Sequence, residues 1–187
     1  SEAGTHQVDG KYKSGDEARN SSISWVHTSN AYDILRPFVD AANDICGWKY
    51  DIQQIEGIQL AKYNKSQHYD WHIDGNSDAW SAKTLVDDTH TGPLLINQTK
   101  TPEFAGLVRK LSVIVQLSDP EDYKGGDVFI SRPPMDGQLD IYGETLPQFR
   151  EKGTVIVFPS YVRHKVNPVT EGTRRSAVAW ICGPPFK

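Results

Sequence analysis

The sequence predicts a mainly β protein, a double-stranded β-helix (jelly roll) with a supporting N-terminal helix. Beyond residue 48 the chain is divided into short segments of alternating apolar and polar residues, which are separated by turns rich in glycine and proline. Residues 154–158 (TVIVF) are apolar on both faces, as is typical of a buried strand. Many short strands after a single helix favour two packed sheets.

The N-terminal part of the chain contains a polar extension and then the helix. Residues 1–22 are polar and show no periodicity, so we interpret them as an extension that can be flexible. Residues 23–187 are predicted to form a single domain, because no linker or repeat interrupts them. From Asn30, a candidate N-cap, apolar residues recur with helical spacing up to Gly47, a suitable end. Pro37 is expected to kink this helix or to mark its regular start.

The remaining elements are short strands and loops. Strands are predicted at 23–27, 51–63, 69–75, 111–117, 127–130, 154–158 and 174–181, with shorter candidates at 94–97 and 138–142. Residues 75–92 are long, polar and irregular, as lids beside a site often are.

The composition favours a soluble, cytoplasmic protein. The 187 residues carry a net charge of −4 and contain no apolar run of transmembrane length, so neither a membrane partner nor a signal peptide is expected. The acidic balance argues against a nucleic-acid partner. Cys46 and Cys182 lie far apart in the sequence, which favours reduced thiols. A single disulfide between them is the alternative at this point. The sequence leaves the oligomeric state unknown.

The motif His72-x-Asp74 is the first candidate for chemistry. In a strand both side chains point the same way, roughly 7 Å apart along the chain, which suits two ligands of one metal ion. By the same alternation Asp70 shares their face, whereas Tyr69 and Trp71 point to the other. The motif alone is a weak signal, because such pairs also occur by chance.

His164 provides a candidate third ligand. It follows the predicted buried strand at 154–158, and with His72 and Asp74 it would complete a facial triad that leaves positions open on octahedral Fe(II). The alternative is two unrelated core histidines and a surface aspartate. His68 and His72 have the spacing of a helical zinc site, but the sequence lacks the glutamate that a zinc protease needs.

Arg174 lies ten residues after His164, on a predicted strand where it shares a face with Ser176. A buried arginine is costly unless it meets an anion, and its planar guanidinium matches a carboxylate, to which Ser176 would add a hydroxyl. The alternatives are an exposed arginine on an edge strand, or an ion pair with an acidic side chain. Arg175 must point the other way, towards solvent.

Together, His72-x-Asp74, His164 and Arg174-x-Ser176 resemble the iron(II)/2-oxoglutarate-dependent dioxygenases. The prolyl 4-hydroxylase-like branch, with its bacterial and phage peptidyl-proline hydroxylases, is the most similar. The phrases that carry the resemblance are LAKYNKSQHYDWHIDG, LSVIVQLSDPEDYKGGDVFI and GTVIVFPSYVRHKVNPVTEGTRRSAVAWI. The resemblance covers about residues 55–182, which would be the catalytic core of an Fe(II)/2-oxoglutarate dioxygenase domain.

The resemblance implies cofactors, site residues and a reaction. Iron would be bound by the catalytic residues His72, Asp74 and His164. The cosubstrate 2-oxoglutarate would pair its far carboxylate with Arg174, aided by Ser176 and Tyr63. With O2, and with ascorbate (vitamin C) as a reductant, the enzyme would hydroxylate a prolyl residue in a peptide or protein and release succinate and CO2.

The sequence departs from the family at Gln116, where related animal prolyl hydroxylases have a tyrosine, and this puts the detailed cosubstrate contacts in doubt. Asp74 argues against the halogenase variant, which lacks this carboxylate. The alternative functions are a non-catalytic jelly-roll binding module and a metal-dependent cupin-type enzyme such as an isomerase. A nucleobase demethylase is less favoured. Trp80 and Arg132, in the segments 75–92 and 131–137, are candidate substrate contacts.

Overall fold

The elements of the fold come from a computed structural model that describes residues 5–6, 12–13, 19–26, 29–75, 106–132 and 143–186. The strands are β1 Thr5–His6, β2 Tyr12–Lys13, β3 Arg19–Asn20, β4 Ser22–Val26, β5 Gln54–Ile55, β6 Ile58–Tyr63, β7 His68–His72, β8 Val108–Gln116, β9 Tyr123–Gly125, β10 Val128–Ile130, β11 Val155–Pro159, β12 His164–Val166, β13 Val169–Gly172 and β14 Arg174–Gly183. The helix α1 spans Ser29–Ile45, and two 3₁₀ turns span Pro120–Asp122 and Pro147–Arg150.

Two antiparallel sheets form the predicted double-stranded β-helix. The larger sheet has the strand order β11-β8-β14-β6-β4, with β5 also paired to β14, and the smaller sheet has the order β10-β12-β7-β3. Strands were predicted at seven of these segments, and they occur as β4, β5 with β6, β7, β8, β10, β11 and β14. The predicted strands at 94–97 and 138–142 lie outside the described residues.

The larger sheet separates two apolar clusters. On its outer face Leu35 and Val39 of α1 pack over Leu111 and Val113 of β8, and all four side chains are buried. The inner face packs against the smaller sheet through a second cluster whose members are Ala61, Tyr63, Ile114, Tyr123, Val128, Ile156, Phe158, Val166 and Val169. Alternation along β8 therefore assigns one set of residues to the helix and the other to the interior between the sheets.

Helix α1 is the predicted supporting helix. It begins at Ser29, so Asn30 lies in its first turn rather than at the predicted cap. Pro37 lies inside the helix on an exposed face, where the missing N–H removes one backbone hydrogen bond but its ring faces solvent. Gly47 ends the segment with a φ of 68°, a left-handed conformation that glycine adopts without strain.

The polar N-terminal segment contributes to both sheets. Arg19 and Asn20 pair with β7, and Ser22 begins the edge strand that pairs with β6. The division into an extension and a domain at residues 22 and 23 stays a prediction, but the segment from residue 19 onwards is part of the sheet structure. Among the described residues, no helix has both the length and the apolar character needed to cross a membrane.

Cys46 and Cys182 are both free thiols, which excludes the alternative of a disulfide between them. Cys46 is exposed, whereas Cys182 is fully buried, and burial together with the neighbouring Glu56 raises the pKa of the Cys182 thiol.

We expect a thiol reagent to modify one cysteine in the native protein and two after denaturation, as counted by intact mass. Native Cys46→Ser should remain unmodified, and labelling of that variant before unfolding would contradict the burial of Cys182.

Candidate metal centre and anion pocket

His72, Asp74 and His164 meet between the sheets. His72 ends β7 and His164 begins β12, its antiparallel neighbour, so the two imidazoles lie opposite each other. Asp74 follows His72 by two residues. Its Oδ1 lies 3.6 Å from His72 Nε2, and its Oδ2 lies 3.4 Å from His164 Nε2. One ligand atom from each of the three residues can be chosen so that all three atoms lie within 4.8 Å of one another, which is close enough to bind one metal ion.

Backbone carbonyls orient both imidazoles. The Nδ1 of His72 is 2.7 Å from the Asp70 carbonyl oxygen, and the Nδ1 of His164 is 3.0 Å from the Val162 carbonyl oxygen. A carbonyl can only accept, so each Nδ1 carries the proton when the ring is neutral, and Nε2 keeps its lone pair. Both Nε2 atoms are those that face Asp74, so the lone pairs point to the common centre.

A β-bulge in β7 changes the predicted pattern of faces. His164 pairs with His72, but Val166, two residues on, pairs with Tyr69, three residues back. The extra residue in β7 turns Tyr69 to the side of His72, and the two rings stack with centroids 3.4 Å apart and planes 8° apart. The prediction that Asp70 shares the inner face is therefore wrong, and Asp70 is exposed.

Asp74 is held by hydrogen bonds to its side chain and its backbone. The hydroxyl of Ser112 donates to Asp74 Oδ2 at 2.7 Å, and the Ser160 hydroxyl lies 3.0 Å from that of Ser112. The backbone N–H groups of Asp74 and Gly75 both donate to the Ser160 carbonyl, at 3.0 and 2.9 Å. A Cβ at Gly75 would lie 3.1 Å from Cβ of Arg109, so the close approach of β8 favours glycine here.

A buried ion pair supports the same aspartate from the other side. Arg109 donates two hydrogen bonds to the Glu56 carboxylate, at 2.6 and 2.7 Å, and a third to the Asp74 carbonyl at 3.2 Å. Its guanidinium lies 4.0 Å from the centroid of the Trp180 ring. Burial lowers the pKa of Arg109, but Glu56 outweighs burial and raises it above the ordinary value. Such a paired and stacked arginine is a rigid support for the backbone of Asp74.

The electrostatics of the cluster suit a divalent cation. Burial, and then the neighbouring His164, lower the pKa of His72 well below its usual value, so this imidazole is neutral at pH 7. Burial raises the pKa of Asp74, but His164, His72, Arg109 and the Ser112 hydroxyl outweigh it and hold the pKa at about 2. A neutral imidazole and an ionised carboxylate are the protonation states that metal binding requires.

Arg174 forms the second part of the site. It is 1% exposed, and its Nη2 has no hydrogen-bond partner among the described residues. Its Nη1 donates to Ser176 Oγ at 3.3 Å, and no carboxylate pairs with it among the residues that the structure describes. Burial lowers the pKa of Arg174, against the opposing effect of Tyr63 and Tyr123. An uncompensated buried guanidinium is costly, and an anion bound beside it would remove that cost.

The walls of this anion pocket are aromatic and amide groups. Tyr63 of β6 lies opposite Arg174 in the sheet, with its ring centroid 5.6 Å from the guanidinium carbon. Gln116 is fully buried, and its Nε2 donates to the Tyr123 hydroxyl at 2.9 Å. Its Oε1 has no hydrogen-bond partner in the described part of the chain. At the position where related animal prolyl hydroxylases have a tyrosine, this protein thus has a glutamine, Gln116, that is hydrogen-bonded to Tyr123 beside the pocket. Arg175 is exposed, as its alternation with Arg174 predicted.

The sequence-predicted triad and Arg174, Ser176 and Tyr63 all lie in this interior, whereas several supporting residues were not predicted. Ser112 carried a signal, since it shares a strand face with Gln116, but a serine among apolar residues is common. The Glu56–Arg109 pair joins residues 53 apart in sequence, and no local pattern predicts it. Arg132, a predicted substrate contact, pairs with Glu144, and Trp80 lies outside the described residues.

Comparisons with known proteins agree with this geometry. Residues 58–182 match the model of the 2OG-Fe(II) oxygenase superfamily. A PKHD-type hydroxylase of Parvibaculum lavamentivorans is 31% identical over 124 residues, which are 66% of this chain and 41% of that protein. One of Herminiimonas arsenicoxydans is 32% identical over 123 residues, 64% of this chain and 40% of that protein. The chain thus spans about two fifths of the length of these curated relatives.

Solved structures share the fold. The viral collagen prolyl hydroxylase of Paramecium bursaria Chlorella virus-1, in its 2-oxoglutarate complex, superposes with a TM-score of 0.56 at 19% identity and covers 89% of this chain and 80% of its own. A Pseudomonas putida prolyl-4-hydroxylase gives a TM-score of 0.53 at 20% identity, with 93% and 78% covered. These likenesses confirm the jelly roll. The family match covers two thirds of the chain, which therefore belongs to the 2OG-Fe(II) oxygenase superfamily.

Proposed function

We propose that this protein uses Fe(II), 2-oxoglutarate and O2 to hydroxylate a C–H bond of a substrate. The observation that carries the proposal is Arg174, a buried guanidinium that no carboxylate of the described residues pairs with, in the same interior as two imidazoles and a carboxylate. A metal site alone would also suit an isomerase, and a binding module would need neither feature. A metal site together with a buried receptor for a carboxylate suits a dicarboxylate cosubstrate that also binds the metal.

His72, Asp74 and His164 would hold the iron through Nε2 of each imidazole and one carboxylate oxygen. Because Ser112 donates to Asp74 Oδ2, it favours binding of the metal through Oδ1 alone, and one-oxygen binding keeps more positions open. Bound Fe(II) would supply the redox chemistry that couples decarboxylation of 2-oxoglutarate to hydroxylation, with succinate and CO2 as products.

The cosubstrate would be oriented by residues of the larger sheet. Arg174 would bind the far carboxylate through its unpartnered Nη2, with Ser176 keeping the guanidinium in place. Tyr63 covers one side of the guanidinium, and Tyr123, already paired with Gln116, is positioned to add a hydroxyl contact. The fully buried pocket would exclude water, which strengthens the charge-assisted contact.

A prolyl residue in a peptide or protein is the substrate that the relatives favour. The matched solved structures include prolyl hydroxylases, one of them from Trichoplax adhaerens in complex with a hypoxia inducible factor peptide fragment. Ascorbate as a reductant and a cytoplasmic location are part of the same proposal. Succinate release screened against proline-rich peptides and free amino acids tests the reaction and the substrate class together. Absence of 2-oxoglutarate turnover in Fe(II)-loaded protein across the panel would favour a binding module.

Removing a metal ligand should abolish turnover. His72→Ala and Asp74→Ala each delete one of three ligands, so we expect loss of stoichiometric Fe(II) binding under anaerobic conditions and loss of 2-oxoglutarate-dependent succinate release. Equilibrium dialysis and a succinate assay measure the two effects. His68→Ala is the control and should retain both, because the His68 side chain lies in the same strand but contacts the Ser66 carbonyl and none of the three ligands. Wild-type turnover in either ligand variant would refute the assignment.

Arg174→Ala should raise the 2-oxoglutarate requirement by about 30-fold or more. Truncating one partner of a buried charge pair costs about 2–5 kcal/mol, and 2 kcal/mol corresponds to about 30-fold in affinity. The measurement is the KM for 2-oxoglutarate at saturating Fe(II). Arg175→Ala is the matched control, because Arg175 is next to Arg174 in the sequence but is exposed on the opposite face of the strand. Equal KM values in the two variants would exclude Arg174 as the carboxylate receptor.

Ser112→Ala should weaken metal binding while the fold is retained. Loss of a hydrogen-bond partner of a metal ligand typically lowers metal affinity by about 10–100-fold. Competition with a metal chelator measures the affinity, and circular dichroism monitors folding. Ser24→Ala, an exposed serine in β4, is the control. An unchanged Fe(II) affinity in Ser112→Ala would mean that the Ser112 hydroxyl does not orient the bound carboxylate.

A further inference from the structure

A second buried arginine lies in the same interior, on the strand that the N-terminal segment adds to the smaller sheet. Arg19 of β3 pairs with Tyr69 of β7, directly opposite it across the strands. Cross-strand partners point to the same face of a sheet, so Arg19 and Tyr69 both point inwards. Arg19 is 7% exposed, and its guanidinium carbon lies 4.6 Å from the centroid of the Tyr69 ring.

The polar partners of Arg19 within the described residues are all uncharged. Its Nε donates to the Ser21 hydroxyl at 2.9 Å, and its Nη2 donates to Gln59 Oε1 at 2.6 Å. Of the remaining arginines with little exposure in the described residues, Arg109 has the Glu56 carboxylate and Arg174 has the pocket described above. A guanidinium held by neutral groups alone leaves its charge uncompensated, and this is costly in a buried position.

Arg19 lies close to the metal centre. The Tyr69 ring is stacked between the Arg19 guanidinium and the His72 imidazole, whose Nε2 faces Asp74. Within the described part of the chain, neither Nη1 of Arg19 nor the Tyr69 hydroxyl has a hydrogen-bond partner. Two N–H donors and one O–H donor are therefore available one aromatic ring away from a metal ligand. Donors beside a positive charge are the chemistry that recognises a carboxylate.

We propose that Arg19 and Tyr69 bind a carboxylate of the substrate that is hydroxylated. This inference rests on the proposed function and narrows its substrate class to acids, either a free amino acid or a peptide with a carboxylate near the reacting carbon. Arg174 would then hold the carboxylate of the cosubstrate and Arg19 that of the substrate. Ser21 and Gln59 keep the guanidinium in position, in the same way that Ser176 serves Arg174.

A titration with acetate tests the site directly. The protein is labelled with ¹⁵N and loaded with Zn(II), which is redox-inert, and with 2-oxoglutarate, which occupies the Arg174 pocket. The Nε–H signal of Arg19 is assigned by its loss in Arg19→Lys. We expect acetate to shift this signal saturably while 2-oxoglutarate stays bound, and Arg19→Gln to weaken acetate binding, followed at backbone amides of β7, by at least about tenfold. No saturable shift of the Arg19 signal would overturn the inference.

A second arm separates this inference from the proposed function. The titration is repeated on metal-free Arg174→Gln, which needs no 2-oxoglutarate and removes the competing anion pocket, so it reports on Arg19 even if the protein has no oxygenase activity. In the succinate assay, L-proline and acid-terminated peptides are compared with L-prolinamide and the matching peptide amides. We expect the acids to be preferred and Arg19→Gln to lose the preference, whereas Arg19→Lys retains part of it. A preference unaffected in Arg19→Gln would place carboxylate recognition elsewhere.

Discussion

The burial of charge between the two sheets is the constraint on which the rest of the structure depends. The Asp74 carboxylate lies in an interior where an unpaired ion is costly, and the Ser112 hydroxyl together with the backbone contacts of Ser160 and Arg109 hold it there. Both sheets contribute to this arrangement, the smaller one through the paired strands β7 and β12 and the larger one through Ser112 of β8. Stable placement of one ionised carboxylate therefore requires the sheet pairing that also brings the histidines together.

The second feature of the site is buried positive charge that no carboxylate of the described residues compensates. Arg174 and Arg19 are buried with neutral partners, whereas Arg109 has a carboxylate and its pKa is raised. A folded protein retains such costly groups where function requires them, and both of these lie in the interior that contains the metal-ligand cluster. Arg109, which has a carboxylate partner, supports the backbone, whereas Arg174 and Arg19 have none among the described residues and are the candidates for anion recognition.

Much of the fold and the core of the site followed from sequence patterns. Period-two alternation predicted β8 and β14, a run of residues apolar on both faces predicted β11, and the helical spacing up to Gly47 predicted α1. His72, Asp74, His164 and Arg174 were identified because rare polar side chains stood at the ends or on one face of predicted strands. These signals are local, since each depends on residues only a few positions apart.

The unpredicted features depend on contacts between distant segments. The β-bulge that turns Tyr69 onto His72 arises from pairing with β12, which a period of two cannot anticipate. Arg19 was assigned to a flexible extension, because its partners Gln59 and Tyr69 are 40 or more residues away. The pairing of Gln116 with Tyr123 spans only seven residues, but it was also not predicted, because a glutamine in a strand has no sequence feature that identifies its hydrogen-bond partner.

The central claim is that His72, Asp74 and His164 hold one iron ion whose remaining positions accept the cosubstrate. X-ray absorption at the iron edge, recorded anaerobically on Fe(II)-loaded protein before and after addition of 2-oxoglutarate, tests it most directly. The account predicts multiple scattering from two imidazoles in both states, and a change in the oxygen shell when 2-oxoglutarate chelates the iron. Iron without imidazole scattering, or a spectrum that 2-oxoglutarate leaves unchanged, would contradict it.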